Sequence, residues 1–204
     1  LESFRHYAER EMGGTVNGDF ITVGDRTIQA VACPIGINAK EFAEAAESEV
    51  AQNMLRQIRA SLQDRSMIVG VDRLDYSKGL EERFNGYARF LKDHPDQHRK
   101  VLLTQIAPPS RGEVESYQQI RAALDSLAGR INGEYSDVDW TPIRYVNQGY
   151  PRDKLAGIYR SARIGLVTPL RDGMNLVAKE YVAAQDPEDP GVLVLSRFAG
   201  AARE

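Results

Sequence analysis

Two carboxylates and a glycine turn at the start of one helix carry the clearest chemical signal in this sequence. Residues 164–168 (IGLVT) form an apolar run typical of a buried strand, and the turn RDG follows at 171–173. A helix is predicted to begin near Asn175, and a helix start offers free backbone N–H groups and a positive dipole end that suit a phosphate. Asp172 and Glu180 add carboxylate oxygens, which accept strong hydrogen bonds from the hydroxyls of a sugar or ribose. The segment predicts a nucleotide-sugar site.

Basic side chains follow two other predicted strands. Arg73 and Lys78 lie on one loop after the strand at 66–71, and Arg111 lies on the loop after the strand at 100–106. In an open parallel sheet, ligands bind beyond the carboxyl ends of the strands, so these loops are expected to converge with the loop that carries Asp172. Taken singly, each cation is also typical of a solvated surface, and Asp172 is also typical of a helix cap. Because the loops that carry these residues are expected at the same edge of the sheet, phosphate binding is favoured over a purely structural role.

Strands and helices alternate from about residue 40 onward, which is the pattern of an α/β protein. The predicted strands cover residues 66–71, 100–106, 142–146, 164–168 and 192–195, and the predicted helices cover 40–62, 80–91, 113–128, 153–162 and 175–185. Right-handed crossovers between parallel strands place successive loops at one edge of the sheet. The expected fold is a Rossmann-like parallel sheet with helices on both faces.

The first part of the chain does not follow this alternation. Residues 1–11 are predicted to form a helix, and residues 13–32 alternate like a hairpin, with turns at Gly18-Asp19 and Gly24-Asp25. The run CPIGIN at 33–38 has the proline and glycine content of a connector. We expect residues 1–37 to be the tail of a preceding domain with its connector, and residues 38–204 to be a nucleotide-sugar donor-binding domain that is incomplete at its C-terminal end. The chain is then a piece of a longer protein.

The overall composition is that of an ordinary globular chain. Its 204 residues are 42% hydrophobic and 27% charged, and the net charge of -3 provides no basic field for a nucleic acid. No apolar run approaches membrane-spanning length, and the N-terminus lacks the pattern of a signal peptide. The composition favours a cytoplasmic protein with no nucleic-acid or membrane partner.

Cysteine and histidine provide no catalytic or metal-binding set. The single cysteine, Cys33, follows an apolar stretch and is predicted to be a buried structural thiol in a reducing cytosol. His6, His94 and His98 lie in polar surroundings without a second metal ligand at a useful spacing, so they are interpreted as surface residues. A metal-dependent or acyl-transfer mechanism has no support in the sequence.

Three segments closely resemble the trehalose-6-phosphate synthases of glycosyltransferase family 20. They are DRLDYSKG at 72–79, QIAPPSR at 105–111 and the run from 168 to 185 (TPLRDGMNLVAKEYVAAQ). The segments GRING at 129–133 and GVLVLSRFAGA at 191–201 are similar as well, and the resemblance extends from about residue 34 to the last residue. It implies a retaining glycosyltransferase of the two-domain GT-B architecture, with this chain covering mainly the C-terminal, donor-binding domain.

The resemblance also implies a reaction. Glucose moves from UDP-glucose to glucose 6-phosphate, which gives α,α-trehalose 6-phosphate and UDP. In the proposal usual for the family, the leaving phosphate and the attacking hydroxyl share one face of the sugar, so no enzymic nucleophile, cofactor or metal is required. Most of the acceptor site is expected in the absent N-terminal domain, so the chain alone is expected to bind the donor weakly and to transfer nothing. A homo-oligomer of the intact protein is compatible with the sequence.

Carried onto this chain, the resemblance implies roles for particular residues. Arg73 and Lys78 hold the donor diphosphate and stabilise the leaving UDP, and with Asp172, which holds hydroxyls of the glucose, they form the catalytic set. Arg111 is aimed at the acceptor phosphate. The full donor-binding set implied by the resemblance is Arg73, Lys78, Tyr150, Asp172, Gly173, Met174, Asn175, Leu176, Val177, Ala178, Lys179 and Glu180.

Two positions of the donor site concern the nucleoside. Glu180 is expected to bind the ribose hydroxyls, and Tyr150 matches a position that lines the uracil pocket. Gly149-Tyr150 stands where many members of the family carry a His-Phe pair, so contacts to the base differ from the usual pattern. The sequence leaves open whether the donor carries UDP, GDP or ADP, and leaves the oligomeric state open too.

Three alternatives to glycosyl transfer fit the sequence to different degrees. A dinucleotide-dependent dehydrogenase needs a glycine-rich loop after a strand, and the only candidate, VGVDR at 69–73, lacks the second and third glycines. A pseudo-glycosyltransferase, which joins cyclitol units through nitrogen, would use nearly the same residues. A non-catalytic homologue that binds a nucleotide sugar would typically lose some of these contacts, yet Arg73, Lys78, Asp172 and Glu180 are all present.

Overall fold

A helix and a small antiparallel sheet make up the first of two units in the computed structural model, which describes residues 1–109 and 115–203. Helix α1 covers Glu2–Arg10, and strands β1 (Thr15–Asn17), β2 (Phe20–Val23) and β3 (Arg26–Gln29) pair in that order. Gly18 and Gly24 have φ angles of 58° and 56°, the left-handed region that their tight turns require. Both predicted turns are present, and together they make a three-stranded meander rather than a single hairpin.

The second unit, which begins at Gly36, is built on a five-stranded sheet in which every pairing is parallel. The chain starts at the centre of this sheet, moves outward over two strands, and then returns to the other side of the first strand. Its strands are β4 (Ser66–Val71), β5 (Val101–Ile106), β6 (Ile143–Val146), β7 (Ile164–Val167) and β8 (Val192–Leu195), in the spatial order β6-β5-β4-β7-β8. The order reverses between β4 and β7, and such a switch point leaves a crevice for a ligand.

Helices cover both faces of this sheet, which confirms the predicted fold class. They are α2 (Ala39–Glu47), α3 (Glu49–Leu62), α4 (Leu80–Asp93), α5 (Glu115–Tyr135), α6 (Arg152–Ser161) and α7 (Leu176–Ala184). Successive side chains of a strand point to opposite faces, so Met67 and Val69 of β4 pack in one core with α2, α3, α6 and α7. Ile68 between them packs in a second core with α4 and α5.

Further sequence predictions differ from the structure. The single helix predicted over 40–62 is two helices, because the Ser48 hydroxyl accepts a hydrogen bond from Ala51 N at 3.2 Å and caps a new helix. Helix α5 runs on to Tyr135 rather than stopping at 128, since Ile131 extends its buried stripe; its predicted start at 113 lies outside the described residues. Cys33 is exposed, not buried, because residues 30–38 form no helix or strand.

None of the helices in the described ranges is long and apolar enough to span a membrane.

Candidate functional site

A cleft of about 370 Å³ lies at the switch point between β4 and β7. This volume falls in the usual range for small-molecule sites. The carboxyl end of β4, the turn that follows β7 and the first turn of α7 all contribute to its walls. The residues that line it are Val71, Asp72, Arg73, Lys78, Asp172, Met174, Asn175, Leu176 and Val177. The structure therefore brings together the two basic residues and the carboxylate that the sequence placed on separate loops.

An ion pair between Lys78 and Asp172 crosses the cleft. The distance from Lys78 Nζ to Asp172 Oδ2 is 2.6 Å, and each side chain is only 17% exposed. Burial would raise the pKa of Asp172, but the hydrogen bond and charge of Lys78, with hydrogen bonds from Met174 N and Asn175 Nδ2, lower it below its usual value. Asp172 therefore stays ionised at neutral pH, held in one orientation.

A short 3₁₀ turn over Tyr76–Lys78 places the lysine. Asp75 stabilises this turn, because its Oδ1 accepts hydrogen bonds from Ser77 N at 2.9 Å and Ser77 Oγ at 2.7 Å. Gly79 then adopts a φ of 63° and packs against the end of β7, where an added Cβ would lie 2.6 Å from Thr168 O. The lysine loop is thus fitted directly to the strand that leads to Asp172.

The turn after β7 is held by backbone hydrogen bonds on two sides. Ser77 O accepts from Leu170 N at 2.9 Å, which ties the turn to the lysine loop. On the other side, Asp172 N donates to Phe198 O at 3.2 Å and Gly200 N donates to Asp172 O at 3.1 Å. Asp172 is therefore fixed through its backbone as well as its side chain.

Asn175 joins the carboxylate to helix α7. Its backbone has a φ of 81°, an unusual conformation for a residue other than glycine and one that clusters at functional sites. Its Oδ1 accepts from Ala178 N at 3.1 Å and its Nδ2 donates to Asp172 Oδ2 at 3.1 Å. The first-turn N–H groups of Leu176 and Val177 have no acceptor within the helix. They are available to an anion in the cleft.

Arg73 is the exposed cation of the cleft. Its guanidinium has no hydrogen bond or ion pair with any residue in 1–109 or 115–203. Unlike Lys78, which is paired with Asp172, this side chain can turn toward an incoming anion without breaking a hydrogen bond or ion pair to a described residue.

Glu180 and Tyr150 lie outside the walls of this cleft. Glu180 is half-buried on α7, where its Oε2 accepts a hydrogen bond from Tyr159 OH at 3.3 Å. Burial raises the pKa of Glu180, and the Tyr159 hydrogen bond and the charge of Arg152 only partly oppose the rise. Tyr150 follows β6 at the same edge of the sheet, and its hydroxyl accepts from Gln148 Nε2 at 2.8 Å.

The remaining predicted residues are distributed as follows. Gly173 lies in the turn beside the cleft, while Ala178 is buried and its N–H is used by the Asn175 cap. Lys179 lies with Ala178 beside a separate apolar pocket. Arg111 lies outside the described residues. In the part of the chain that the structure describes, no group of three or more histidine, cysteine, aspartate or glutamate residues is arranged to hold a metal ion.

Sequence reasoning missed three contributors to this geometry. Gly200 approaches the turn so closely that a Cβ would lie 2.0 Å from Gly173 O. Arg83 and Thr168 meet beneath the cleft, with Arg83 Nε donating to Thr168 Oγ1 at 3.0 Å. One signal was available, because Arg83 falls within the apolar stripe of α4, where a charged residue is out of place.

Comparison with known proteins gives consistent matches. Residues 3–204 match the model of glycosyltransferase family 20. A trehalose-6-phosphate synthase from Sinorhizobium fredii (strain NBRC 101917 / NGR234) is 49% identical over 205 residues, which covers 100% of this chain and 44% of the relative. Another, from Enterobacter sp. (strain 638), is 54% identical over 190 residues and covers 93% of this chain and 40% of the relative.

Solved structures agree with the sequence relatives. An α,α-trehalose-phosphate synthase (UDP-forming) from Burkholderia xenovorans, in complex with glucose-6-phosphate, matches 100% of this chain and 46% of its own, with a TM-score of 0.95 and 51% identity. An E. coli structure bound with UDP-2-fluoro glucose matches 97% of this chain and 44% of its own, with a TM-score of 0.89 and 50% identity. The chain spans less than half the length of each of these four relatives.

Proposed function

Because the chain belongs to glycosyltransferase family 20, we propose that it supplies the donor-binding part of a retaining glucosyltransferase. The proposed reaction moves glucose from UDP-glucose to glucose 6-phosphate and yields α,α-trehalose 6-phosphate and UDP. The relatives named trehalose-6-phosphate synthase support it, as do the matched structures that hold glucose-6-phosphate and UDP-2-fluoro glucose. Residues 38–204 form the donor domain in this proposal, and residues 1–37 belong to the acceptor side and connector.

The observation that carries the proposal is the arrangement of charge around the cleft. Lys78, Arg73 and the first turn of α7 all line the cleft, so a diphosphate bound there meets positive charge from two side chains and from a helix N-terminus. Asp172 is an ionised acceptor fixed beside them, which suits the hydroxyls of the attached glucose. A nucleoside diphosphate sugar presents these two chemistries next to each other.

The same arrangement suits the bond that breaks. When the bond between the anomeric carbon and the diphosphate opens, negative charge builds on the phosphate that leaves with UDP. Cations already in place stabilise that charge without reorganising, which is where an enzyme gains most. The acceptor hydroxyl forms the new bond on the face that UDP leaves and passes its proton to the departing phosphate, so the configuration is retained.

Three more residues receive roles in this proposal. Glu180 accepts hydrogen bonds from the ribose hydroxyls, and Tyr150 contacts the base. Arg111 binds the acceptor phosphate. The hydrogen bond from Gln148 to the Tyr150 hydroxyl leaves the Tyr150 O–H free to donate, which suits a carbonyl oxygen of uracil.

A product assay tests the function. The protein at its natural length is incubated with UDP-glucose and glucose 6-phosphate, and products are identified by mass spectrometry. We expect a phosphorylated disaccharide and UDP, strongly reduced in Lys78→Ala and unchanged in Lys92→Ala, a matched change at an exposed lysine of α4.

The assay also separates the alternatives. Product from GDP-glucose or ADP-glucose, but not from UDP-glucose, would correct the donor and keep the reaction class. Donor binding with no product from any sugar phosphate would replace the synthase with a non-catalytic homologue or a pseudo-glycosyltransferase.

A further inference from the structure

An arginine with a fully buried side chain, Arg83, contacts Asp72, one of the residues that line the cleft. The side chain of Arg83, in the first turn of α4, is 0% exposed, and that of its partner Asp72 is 2% exposed. Arg83 Nη1 donates to Asp72 Oδ2 and to Gln105 Oε1, both at 2.7 Å, and Arg83 Nε donates to Thr168 Oγ1 at 3.0 Å. One guanidinium therefore holds three side chains at once.

The three partners of Arg83 belong to three neighbouring strands. Gln105 lies in β5, next to the central strand β4. Asp72 follows β4 and directly precedes Arg73, while Thr168 follows β7 and begins the turn that carries Asp172. Helix α4, which carries Arg83, starts at Leu80, directly after Lys78 and Gly79. The loops of Arg73 and Asp172 are thus joined to Arg83 by hydrogen bonds, and the loop of Lys78 is joined to it through the start of α4.

Stability alone gives little reason for this arrangement. A buried ion pair is often no more stable than apolar residues of the same size, because removing both charges from water is costly. Arg83 Nη2 is also buried without a hydrogen-bond partner in the described ranges, which adds a further cost.

The sheet is built to admit the guanidinium. Gly70 is the penultimate residue of β4, and glycine within a strand weakens it. A Cβ at this position would lie 2.4 Å from Gln105 Oε1 and 2.6 Å from Arg83 Nη1. Glycine at position 70 therefore provides the space that the Arg83–Gln105 contact occupies.

We propose that Arg83 is a positioning residue, which fixes the loops of Arg73, Lys78 and Asp172 in the one geometry that binds the donor diphosphate. The inference rests on the proposed function, because the ligand it serves is the nucleoside diphosphate. Arg83 touches no substrate and acts through Asp72 and Thr168.

The test compares variants that separate geometry from stability. Arg83→Lys keeps a positive charge opposite Asp72, but a single ammonium cannot match the planar fork that reaches three partners. The single variant Arg83→Gln leaves the buried Asp72 carboxylate without its partner, whereas the double variant Asp72→Asn/Arg83→Gln removes both charges. Arg89→Met, an exposed change on the same helix, is the control. For each protein at its natural length, the melting temperature, the affinity for UDP and the turnover are measured.

We expect Arg83→Lys to bind UDP about tenfold more weakly and to turn over about a hundredfold more slowly, since a small misplacement of catalytic groups has effects of that size. The KM for glucose 6-phosphate should change less than twofold. The double variant should melt at a higher temperature than Arg83→Gln and still bind and turn over poorly. The control should match the unaltered protein.

Recovery of stability, UDP affinity and turnover together in the double variant would overturn the proposal and leave Arg83 a structural role only. Unchanged UDP affinity in a folded Arg83→Lys protein would also overturn the proposal. If Arg83→Lys does not fold, the UDP affinity and turnover of the double variant test the proposal instead. If the unaltered protein binds UDP but forms no disaccharide phosphate, the proposed function fails while the positioning role is judged on UDP affinity. If the unaltered protein does not bind UDP, both proposals fail.

Discussion

At the residue scale, the two cations of the cleft differ in what they do for the folded protein. Lys78 is paired with Asp172 at 2.6 Å, whereas Arg73 is exposed and has no hydrogen bond or ion pair in the described part of the chain. Both are proposed to stabilise charge on the leaving UDP. The loss of either should therefore slow transfer, but only the loss of Lys78 should leave a half-buried carboxylate without its partner.

Arg73→Ala and Lys78→Ala should each lower turnover about a hundredfold or more, a loss of ~3 kcal/mol of transition-state stabilisation. The melting temperature should stay constant in Arg73→Ala and fall in Lys78→Ala. Steady-state kinetics and thermal unfolding of both variants check this, with Lys92→Ala as the control. Equal melting temperatures for the two variants would show that the Lys78–Asp172 pair contributes nothing to stability.

Glu180 shows a conflict between stability and binding. Its pKa is raised by burial, so the folded protein holds that proton more tightly than the unfolded chain does. Ionised Glu180 therefore lowers the free energy of unfolding at neutral pH. This destabilisation disappears as the pH falls below 4.5, the usual pKa of a glutamate, because the carboxyl is then protonated in both states.

Glu180→Gln should raise the melting temperature at pH 7 and leave it unchanged near pH 4. The same change should weaken UDP binding about tenfold, ~1.4 kcal/mol, because an amide accepts weaker hydrogen bonds from the ribose than a carboxylate does. Thermal unfolding at the two pH values and calorimetry with UDP measure both effects. The exposed Glu188→Gln is the control, and an equal rise at both pH values would contradict the titration argument.

At the scale of elements, the site depends on how closely the segment after β8 approaches the turn after β7. Gly200 contacts backbone atoms of Gly173, and backbone cannot move aside as a flexible side chain can. Gly200→Ala should therefore displace the turn that holds Asp172 while leaving the sheet intact, and it should weaken UDP binding at least about tenfold.

A matched glycine change controls for that prediction. Gly133 lies in α5 with nothing within 4 Å of an added Cβ, so Gly133→Ala should stabilise the protein by about 0.5–1 kcal/mol and leave UDP affinity unchanged. Calorimetry and denaturant unfolding of the two variants separate their effects. Wild-type affinity in Gly200→Ala would mean that the turn can move without cost to the site.

The elements were more predictable from sequence than the contacts between them. The apolar run IVGV at 68–71 predicted strand β4, because a strand buried in a parallel sheet is continuously hydrophobic. The run VLVL at 192–195 predicted strand β8 in the same way, although Val192 and Val194 leave one face of that strand exposed. Alternation of such runs with helical stripes predicted the fold class. The break at Ser48 was not predicted, since the alanine-rich and glutamate-rich residues around it suit one long helix equally well.

The site was predictable where its chemistry lies within one segment and not where it depends on distant contacts. Asp172, Lys78 and the start of α7 belong to local motifs, and the structure places them in one cleft. The approach of Gly200 to Gly173 and the reach of Arg83 to Thr168 join residues far apart in sequence, so no local pattern reports them. The sequence predicted Asn175 as the start of a helix with free backbone N–H groups, whereas the Asn175 side chain supplies the bridge from Asp172 to α7.

At the scale of the whole molecule, this chain contains many residues that are proposed to bind the donor but only one, Arg111, that is proposed to bind the acceptor. Every residue that lines the cleft belongs to the unit that begins at Gly36, so Arg73, Lys78 and Asp172, the charged groups proposed to meet the donor, all lie in that unit. The relatives are more than twice as long as this chain, and the resemblance assigns most of the acceptor site to the part not included in it.

Donor binding and glycosyl transfer should therefore be separable. The 204-residue chain should bind UDP weakly, in a salt-sensitive manner because the diphosphate meets Arg73 and Lys78, and it should form no disaccharide phosphate. The protein at its natural length should bind UDP more tightly and carry out transfer, since closure around the donor excludes water and strengthens each charge contact. Calorimetry with UDP and mass spectrometry of the products, performed on both, measure the difference. Transfer by the 204-residue chain would show that the acceptor binds within it, and an absence of UDP binding would show that the cleft alone does not hold the donor.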